Sequence, residues 1–351
     1  LIHYHRAASA ARIVPVMFIS NILHRIPWLF AVLLFMSLII FTLSHVVPAN
    51  PAAYMAGQGA TQDQINAISH SLGLDKPLPV QYGIYLKGLL HLDLGTSIRT
   101  RQPVASELWS ALPATLELIF FSFILYMVLG IALGVIAALN KGSLLDLIIR
   151  VVVTIATALP VFWVGLVLQM IFFANLGWLP IGSRIGVHDL PPPPVTGFYT
   201  VDSLLAGDIS IFLSVVQHLI LPVTATTLSL LAVGARLTRT AFIKELAQQY
   251  VVTARGKGVR RSKVIFKHVL RNTLNPLLTM SGVQLGYLLS WIVLVEVVFQ
   301  WPGIGLYAYL SFQVFDYAPI MGLTLMATFF FILINLAIDL LYPLADPRVE
   351  Y

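Results

Sequence analysis

Six stretches of this chain are too apolar, for too long, to be ordinary elements of a soluble domain. They run roughly Pro27–Val47, Leu112–Leu139, Leu145–Leu176, Val215–Ala235, Pro276–Phe299 and Ala318–Tyr342. A helix needs about 20 mostly apolar residues to cross the hydrocarbon of a bilayer. With no water there, backbone polar groups must be satisfied within the segment, which makes such runs helical. The chain is 58% hydrophobic and only 10% charged, with mean hydropathy +0.87, so few charges remain to cover a soluble surface. The expectation is an all-α, multi-pass integral membrane protein with six spans. The third run is long for one crossing, which predicts tilt, or ends that leave the hydrocarbon.

Charge sets the orientation. With the N-terminus inside, six spans place sixteen of the 21 Lys and Arg on the inner side and five outside: Lys76, Lys87, Arg99, Arg101 and Arg184. The positive-inside rule therefore predicts N-in and C-in. It also accounts for the net charge of +6 without any nucleic-acid partner. The expected map is a cytoplasmic segment 1–26, a first span 27–47, an outer region 48–110, a five-span core 111–343 and a cytoplasmic tail 344–351. Within the core, 236–275 is a cytoplasmic loop. Cysteine is absent, which excludes disulfide and thiolate chemistry. The first residues, LIHYHRAASAARIVPV, lack the apolar core and cleavage site of a signal peptide. Met17, followed by FISNILHRIPWLF, is the expected natural start.

The outer regions carry turn and helix signals. Thr61–Leu72 reads as a short helix capped by Thr61, and apolar residues recur at helical spacing from Val80 to Leu90. The latter segment suits the bilayer surface or packing on the spans. Gly177–Ser214 holds the run Pro191–Pro194, which favours extended geometry. Trp301-Pro302-Gly303 with Gly305 predicts a tight backbone re-entry near the membrane edge.

The inner loop is the most unusual segment. It holds ten basic residues against Glu245, and no acid follows until Glu296. Val251–Ala254 suits a short helix that Gly256 and Gly258 end. Val264, Ile265 and Val269 then line one helical face, and Lys263, Lys267 and Arg271 another. Such a helix–glycine turn–helix reads either as a solvated loop near anionic lipid or as a docking element for a cytosolic partner.

The spacing of that loop resembles importer-type ABC permeases, whose cytoplasmic loop follows E-A-A, three residues, Gly, nine residues, I-x-L-P. Val252-Thr253-Ala254 fall on E-A-A, Gly258 on the glycine and His268–Arg271 on I-x-L-P. Val252, His268 and Arg271 stand where the pattern has Glu, Ile and Pro. Tyr250, Thr253, Ala254, Arg255, Lys257, Gly258, His268, Leu270, Arg271, Asn272 and Pro276 fit the variant of the peptide/nickel subfamily. LGLDKP (Leu72–Pro77), PATLEL (Pro113–Leu118), LGWLP (Leu176–Pro180), E-x-V-F-x-WPGIG (Glu296–Gly305) and LINLAIDLLY (Leu333–Tyr342) resemble it in the same order. The subfamily's PGDP and GDLG are here Pro48-Ala49-Asn50-Pro51 and LDLG, with Leu92 in place of glycine. The resemblance spans nearly the whole chain, about Asn21 to Arg348.

That resemblance implies a six-span type I ABC importer permease in the bacterial inner membrane. Its partners would be a second homologous permease, two cytosolic ATPase subunits, a periplasmic or extracellular solute-binding protein and membrane lipid. ATP and Mg would bind to the ATPase subunits, with no cofactor on this chain. Tyr250, Val252, Thr253, Ala254, Arg255, Gly258, His268 and Arg271 would engage the ATPase. Dipeptides or short oligopeptides are the implied cargo, with nickel or another small solute as the alternative.

Acids near span ends are functional candidates in their own right, because ionisable groups there are costly unless paired or wet. Glu117 and Glu296 read either as lining the pathway or as structural. For Glu296 the structural role is holding the WPGIG turn, and Trp301, Pro302, Gly303 and Gly305 are candidates for an outer gate. Asp339 reads as an interfacial anchor. His45 and His218 read as interface histidines rather than metal ligands. No GxxxxGK[ST] or GxSxG pattern occurs, so neither P-loop nucleotide binding nor that form of serine catalysis is expected here. An ion-driven secondary transporter is the remaining rival. It predicts internal repeats and acids at mid-span, and the acids here lie near span ends.

Overall fold

A computed structural model of the chain describes residues 27–44, 51–57, 59–71 and 73–345. Met17, His45, most of Pro48–Pro51, Leu72 and Asp346–Arg348 lie outside these residues, as does the Asp339 side chain. The described residues form two compact units. One comes from the described parts of Leu1–Glu107 and Ser311–Tyr351, the other from Leu108–Leu310.

The first unit begins with α1 (Pro27–Ser44), whose surface is apolar and exposed, as at Trp28, Phe30 and Phe35. Two short helices follow, α2 (Pro51–Ala56) and α3 (Gln62–Ser71). Thr61 caps α3 reciprocally: its Oγ1 accepts from Gln64 N–H and its own N–H donates to Gln64 Oε1, a capping box. Next comes α4 (Leu78–Leu90), which packs on α1 through Tyr82 and Tyr85 against Phe41. The Tyr82 hydroxyl also lies 2.9 Å from Ser37 Oγ. The unit closes with α14 (Tyr317–Ala345). Asp316, just before it, accepts from Ser97 Oγ (2.6 Å) and Arg99 N–H (3.0 Å).

The second unit is built on long helices: α5 (Val104–Leu139, which starts in the first unit), α9 (Ile209–Leu246) and α12 (Leu270–Val298). Between α5 and α9 lie α6 (Leu144–Ala158), α7 (Val161–Leu168) with a π-helical continuation Gln169–Asn175, and α8 (Tyr199–Leu205). After α9 come α10 (Gln249–Gly256), α11 (Arg261–Lys263) and a second π-helical turn, Val264–Val269, that runs into α12. The helix α13 (Ile304–Gln313) follows α12. Apolar residues of α5, α7, α9 and α12, among them Leu118, Val164, Leu219 and Leu288, form the main core. Small residues bring α5 and α9 close: a Cβ on Gly134 would lie 2.4 Å from Thr238 Cβ, and one on Gly234 2.8 Å from the Tyr126 ring. Close approach through small residues is how helices associate where lipid removes the hydrophobic drive.

The fold is all-helical, with only an isolated bridge between Thr96 and Pro103 among the described residues. Three helices, α1, α5 and α9, are individually long and apolar enough to cross a membrane, and two bent pairs bring the candidates to five. The third expected span is not one tilted helix. It breaks between α6 and α7 with a bend of 101°. The cause is Pro160, which pushes Leu159 out of the helical region (φ −83°, ψ 137°). The fifth expected span bends by 49° within α12.

Leu92 has φ +58° and its side chain is 81% exposed. It stands where the resembling subfamily has glycine, and an L-residue in the left-handed region costs about 1–2 kcal/mol. Leu92→Gly should therefore stabilise the chain by roughly 0.5–1 kcal/mol, after allowing for glycine's greater unfolded-state entropy. A raised thermal unfolding midpoint checks this; a lowered one would show that the exposed leucine has a contact of its own.

Candidate functional site

At one end of the second unit the turn after α12 is fastened by a single carboxylate. Glu296 is fully buried. Its Oε1 accepts from Thr115 Oγ1, and its Oε2 from the N–H groups of Gly305 (2.7 Å) and Leu306 (3.0 Å). Those N–H groups belong to the first turn of α13, which has no helical partner for them. Ile304 N–H donates to Thr115 Oγ1 (2.9 Å). Glu296 is thus a helix cap supplied by a neighbouring helix, with its carboxyl oxygens at the positive end of the α13 dipole. Trp301 is fully buried beside it, and its Nε1 donates to Ala114 O (2.8 Å). Gly303 is required by space: a Cβ there would lie 2.3 Å from Glu296 Oε1 and 2.4 Å from Thr115 Oγ1. Pro302 is exposed on this turn, and Gly305 is buried against Val293.

A second buried carboxylate fastens the segment between α7 and α9. Glu117 on α5 pairs with Arg184 and accepts from both the N–H and the Oγ1 of Thr200 (each 2.8 Å). Arg184 also donates to Gly197 O and lies 3.6 Å over the Tyr199 ring. Asp202 gathers the Val195, Thr196 and Gly197 N–H groups. Burial works to raise its carboxyl, but the hydrogen bonds from Thr196, Gly197 and Val195 outweigh it and hold it below the usual range. Its stabilisation is therefore present at neutral pH and lost as the pH falls through that depressed value. Asp189 is likewise lowered, foremost by the hydrogen bond from Ser214. His218 sits 2.7 Å from the Ser214 carbonyl through Nδ1. Among the described residues no three His, Asp or Glu gather as a metal site.

At the other end lies the basic loop. Val251 is the buried residue of α10, packed in a cluster with Ala138, Phe242, Val264, Ile265 and Val269. Tyr250 donates to Glu245 Oε2 (2.7 Å) and ties α10 back to α9. Burial, then this hydrogen bond, raises its phenol. Val252, Thr253 and Arg255 are exposed and Ala254 is half-buried. Gly258 closes the helix at φ +74°. Its N–H meets Arg255 O (2.9 Å), and Val259 N–H meets Ala254 O (3.1 Å). This is a Schellman ending, whose left-handed position is the reason for glycine there. His268 is half-buried in the π-helical turn, and Arg271 is exposed at the start of α12.

Several residues of these sites escape sequence reasoning. Thr115 and Arg184 are ordinary polar residues in the sequence until the chain folds. So are Asp146 and Arg239, a bidentate pair with both contacts at 2.8 Å. Ser143 caps α6 by accepting from Asp146 N–H, and that Ser-x-x-Asp spacing was the one available signal.

A family model described as the inner membrane component of binding-protein-dependent transport systems matches residues 130–351. The N-terminal model of the same kind of membrane component matches residues 18–119. The chain belongs to this permease family. It is 38% identical to a dipeptide transport system permease protein of Alkalihalophilus pseudofirmus, over 94% of this chain and 98% of that one. It is 40% identical to a probable D,D-dipeptide transport system permease protein of Escherichia coli, over 89% and 92%. A glutathione transport system permease protein of Pectobacterium atrosepticum is 35% identical, over 95% and 98%. As a member of the family, the permease is an integral membrane transport component that works in a complex with other subunits.

Removing one partner of a buried ion pair typically costs about 3–5 kcal/mol, because the other charge is left uncompensated. Arg184→Met should therefore lower the thermal midpoint of the purified permease sharply, and Glu117→Gln with Arg184→Met should recover part of that loss. Strictly additive losses in the double variant would show that the two side chains act independently.

Proposed function

We propose that this permease is one of the two membrane-spanning halves of a bacterial ABC importer for dipeptides or short oligopeptides. In this reading it has six spans in the inner membrane with both termini in the cytoplasm. Segment 1–26 and the tail 344–351 lie inside, 48–110 lies in the periplasm, and the remaining five spans form the core 111–343. A second homologous permease completes the pathway. A solute-binding protein delivers cargo from outside, and two cytosolic ATPase subunits bind ATP and Mg and supply the energy. The relatives above are named for dipeptides and for glutathione, itself a short peptide, which favours peptide over nickel.

The observation that carries the reading is α10. It presents Val252, Thr253 and Arg255 outward while Val251 and Tyr250 fasten it to the ends of α5 and α9 and to the π-helical turn before α12. A short helix exposed on one side and bolted to the spans on the other suits the transfer of motion from a cytosolic partner. His268 and Arg271 flank the same attachment. At the outer end, Trp301–Gly305 forms the gate. Glu117 and Glu296 belong to the same outer gate, which they support through Thr200, Thr115 and the first turn of α13.

The test is purification of the tagged permease with the products of its neighbouring genes, followed by reconstitution in liposomes. Peptide uptake that needs ATP and the binding protein is expected. A permease that purifies alone and moves solute on an ion gradient overturns the reading. Gly258→Pro should leave assembly intact yet cut peptide moved per ATP at least about fivefold, because proline cannot adopt φ +74°. Normal uptake by that variant would remove α10 from the coupling role.

A further inference from the structure

The ion pair between Asp146 and Arg239 lies where α6 meets the end of α9 that leads to α10. Asp146, in the first turn of α6, is 1% exposed. Its Oδ1 accepts from Arg239 Nε and its Oδ2 from Arg239 Nη2, each at 2.8 Å. Oδ2 also accepts from Gly142 N–H (3.0 Å), in the turn between α5 and α6. Arg150, one turn along α6, approaches at 3.4 Å but is half exposed. The planar fork of Arg239 fixes both the distance and the angle between the two helices, which a point charge would not do.

The surroundings give this joint a direction. The 38 residues of α9 make a rod of about 57 Å, against about 30 Å of hydrocarbon. Beyond Arg239 the rod carries Phe242 and Glu245, which help hold α10 through Val251 and Tyr250. A displacement of α10 therefore enters α9 there. On the α6 side, Thr157 makes the other polar link to α9, by its Oγ1 to Leu228 O (3.3 Å) and Ala232 N–H (3.1 Å). Two links eleven residues apart make α6 follow α9 as one body. Past the bend at Pro160, Gln169 on the continuation of α7 donates to Val298 O (3.1 Å), just before the Trp301–Gly305 turn. A chain of packed and hydrogen-bonded contacts thus runs from α10 to the outer turn, with Asp146 as the link between α9 and α6 nearest α10.

We propose that Asp146 and Arg239 are positioning residues for transport, the joint through which displacement of α10 by a cytosolic partner is passed to α6 and the bent span. The inference rests on the role of α10 given above. Neither residue touches cargo. Their part is to make α6 move when α9 moves, a coupling that is read as a ratio of transport to hydrolysis.

The measurement is peptide transported per ATP hydrolysed, made on the reconstituted complex with its binding protein. Asp146→Asn keeps the shape but removes the charge, and Arg239→Lys keeps the charge but removes the fork. Both should lower the ratio at least about fivefold with subunit stoichiometry retained. Arg150→Gln, on the exposed neighbour, should leave it unchanged. A wild-type ratio in Asp146→Asn while Gly258→Pro uncouples the complex overturns the joint and leaves the role of α10 standing. A wild-type ratio in both variants overturns the two together. Transport that falls only in proportion to assembled complex, at a constant ratio, marks a merely structural pair and also overturns the inference. Should Asp146→Asn fail to assemble, Arg239→Lys decides by the same ratio.

Discussion

A buried backbone N–H or carboxylate that has left water must find a partner inside the protein, and this requirement shapes both ends of the second unit. Unsatisfied, each such group costs several kcal/mol near hydrocarbon. Glu296 meets the first-turn amides of α13, Glu117 meets Arg184 and the Thr200 amide, and Asp146 meets Gly142 and the fork of Arg239. In each case a helix end or turn has donors without helical partners, and a carboxylate on another segment accepts them. The acids near the span ends thus act as fasteners between helices that lipid alone would not hold together.

This arrangement explains which parts of the molecule were legible beforehand. The apolar runs marked α1, α5, α9, α12 and α14, because a period of about 20 apolar residues has no other economical fold. The glycine at position 258 and the apolar face Val264, Ile265 and Val269 were legible from local spacing, since a Schellman ending and a helical stripe are short-range facts. Charge asymmetry sets an expected orientation through the bilayer and not through contacts within the chain. The bend at Pro160 was written in the sequence but masked by the high overall hydropathy of Leu145–Leu176.

Long-range partners were not legible. Glu296 and Thr115 are 181 residues apart, and Asp146 and Arg239 are 93 apart. Spacing along the chain carries no trace of such pairs, so a buried acid looks the same whether it faces a pathway or caps a helix. The two π-helical turns were equally hidden. Nothing in QMIFFAN or VIFKHV departs from ordinary helical composition, and the extra residue per turn is settled by packing. The second of these turns re-aims the chain between α10 and α12, where a regular helix would rotate Val264, Ile265 and Val269 differently against Phe242.

The seat of Glu296 also limits how the turn after α12 can rearrange. Thr115, Gly305 and Leu306 converge on one carboxylate, and Gly303 leaves no room for a side chain between them. These bonds share one buried acceptor, so loosening one while keeping the others leaves a buried donor unmatched. Intermediate positions are therefore disfavoured, and the turn behaves as a snap fastener with a seated and an unseated state instead of a hinge that opens by degrees.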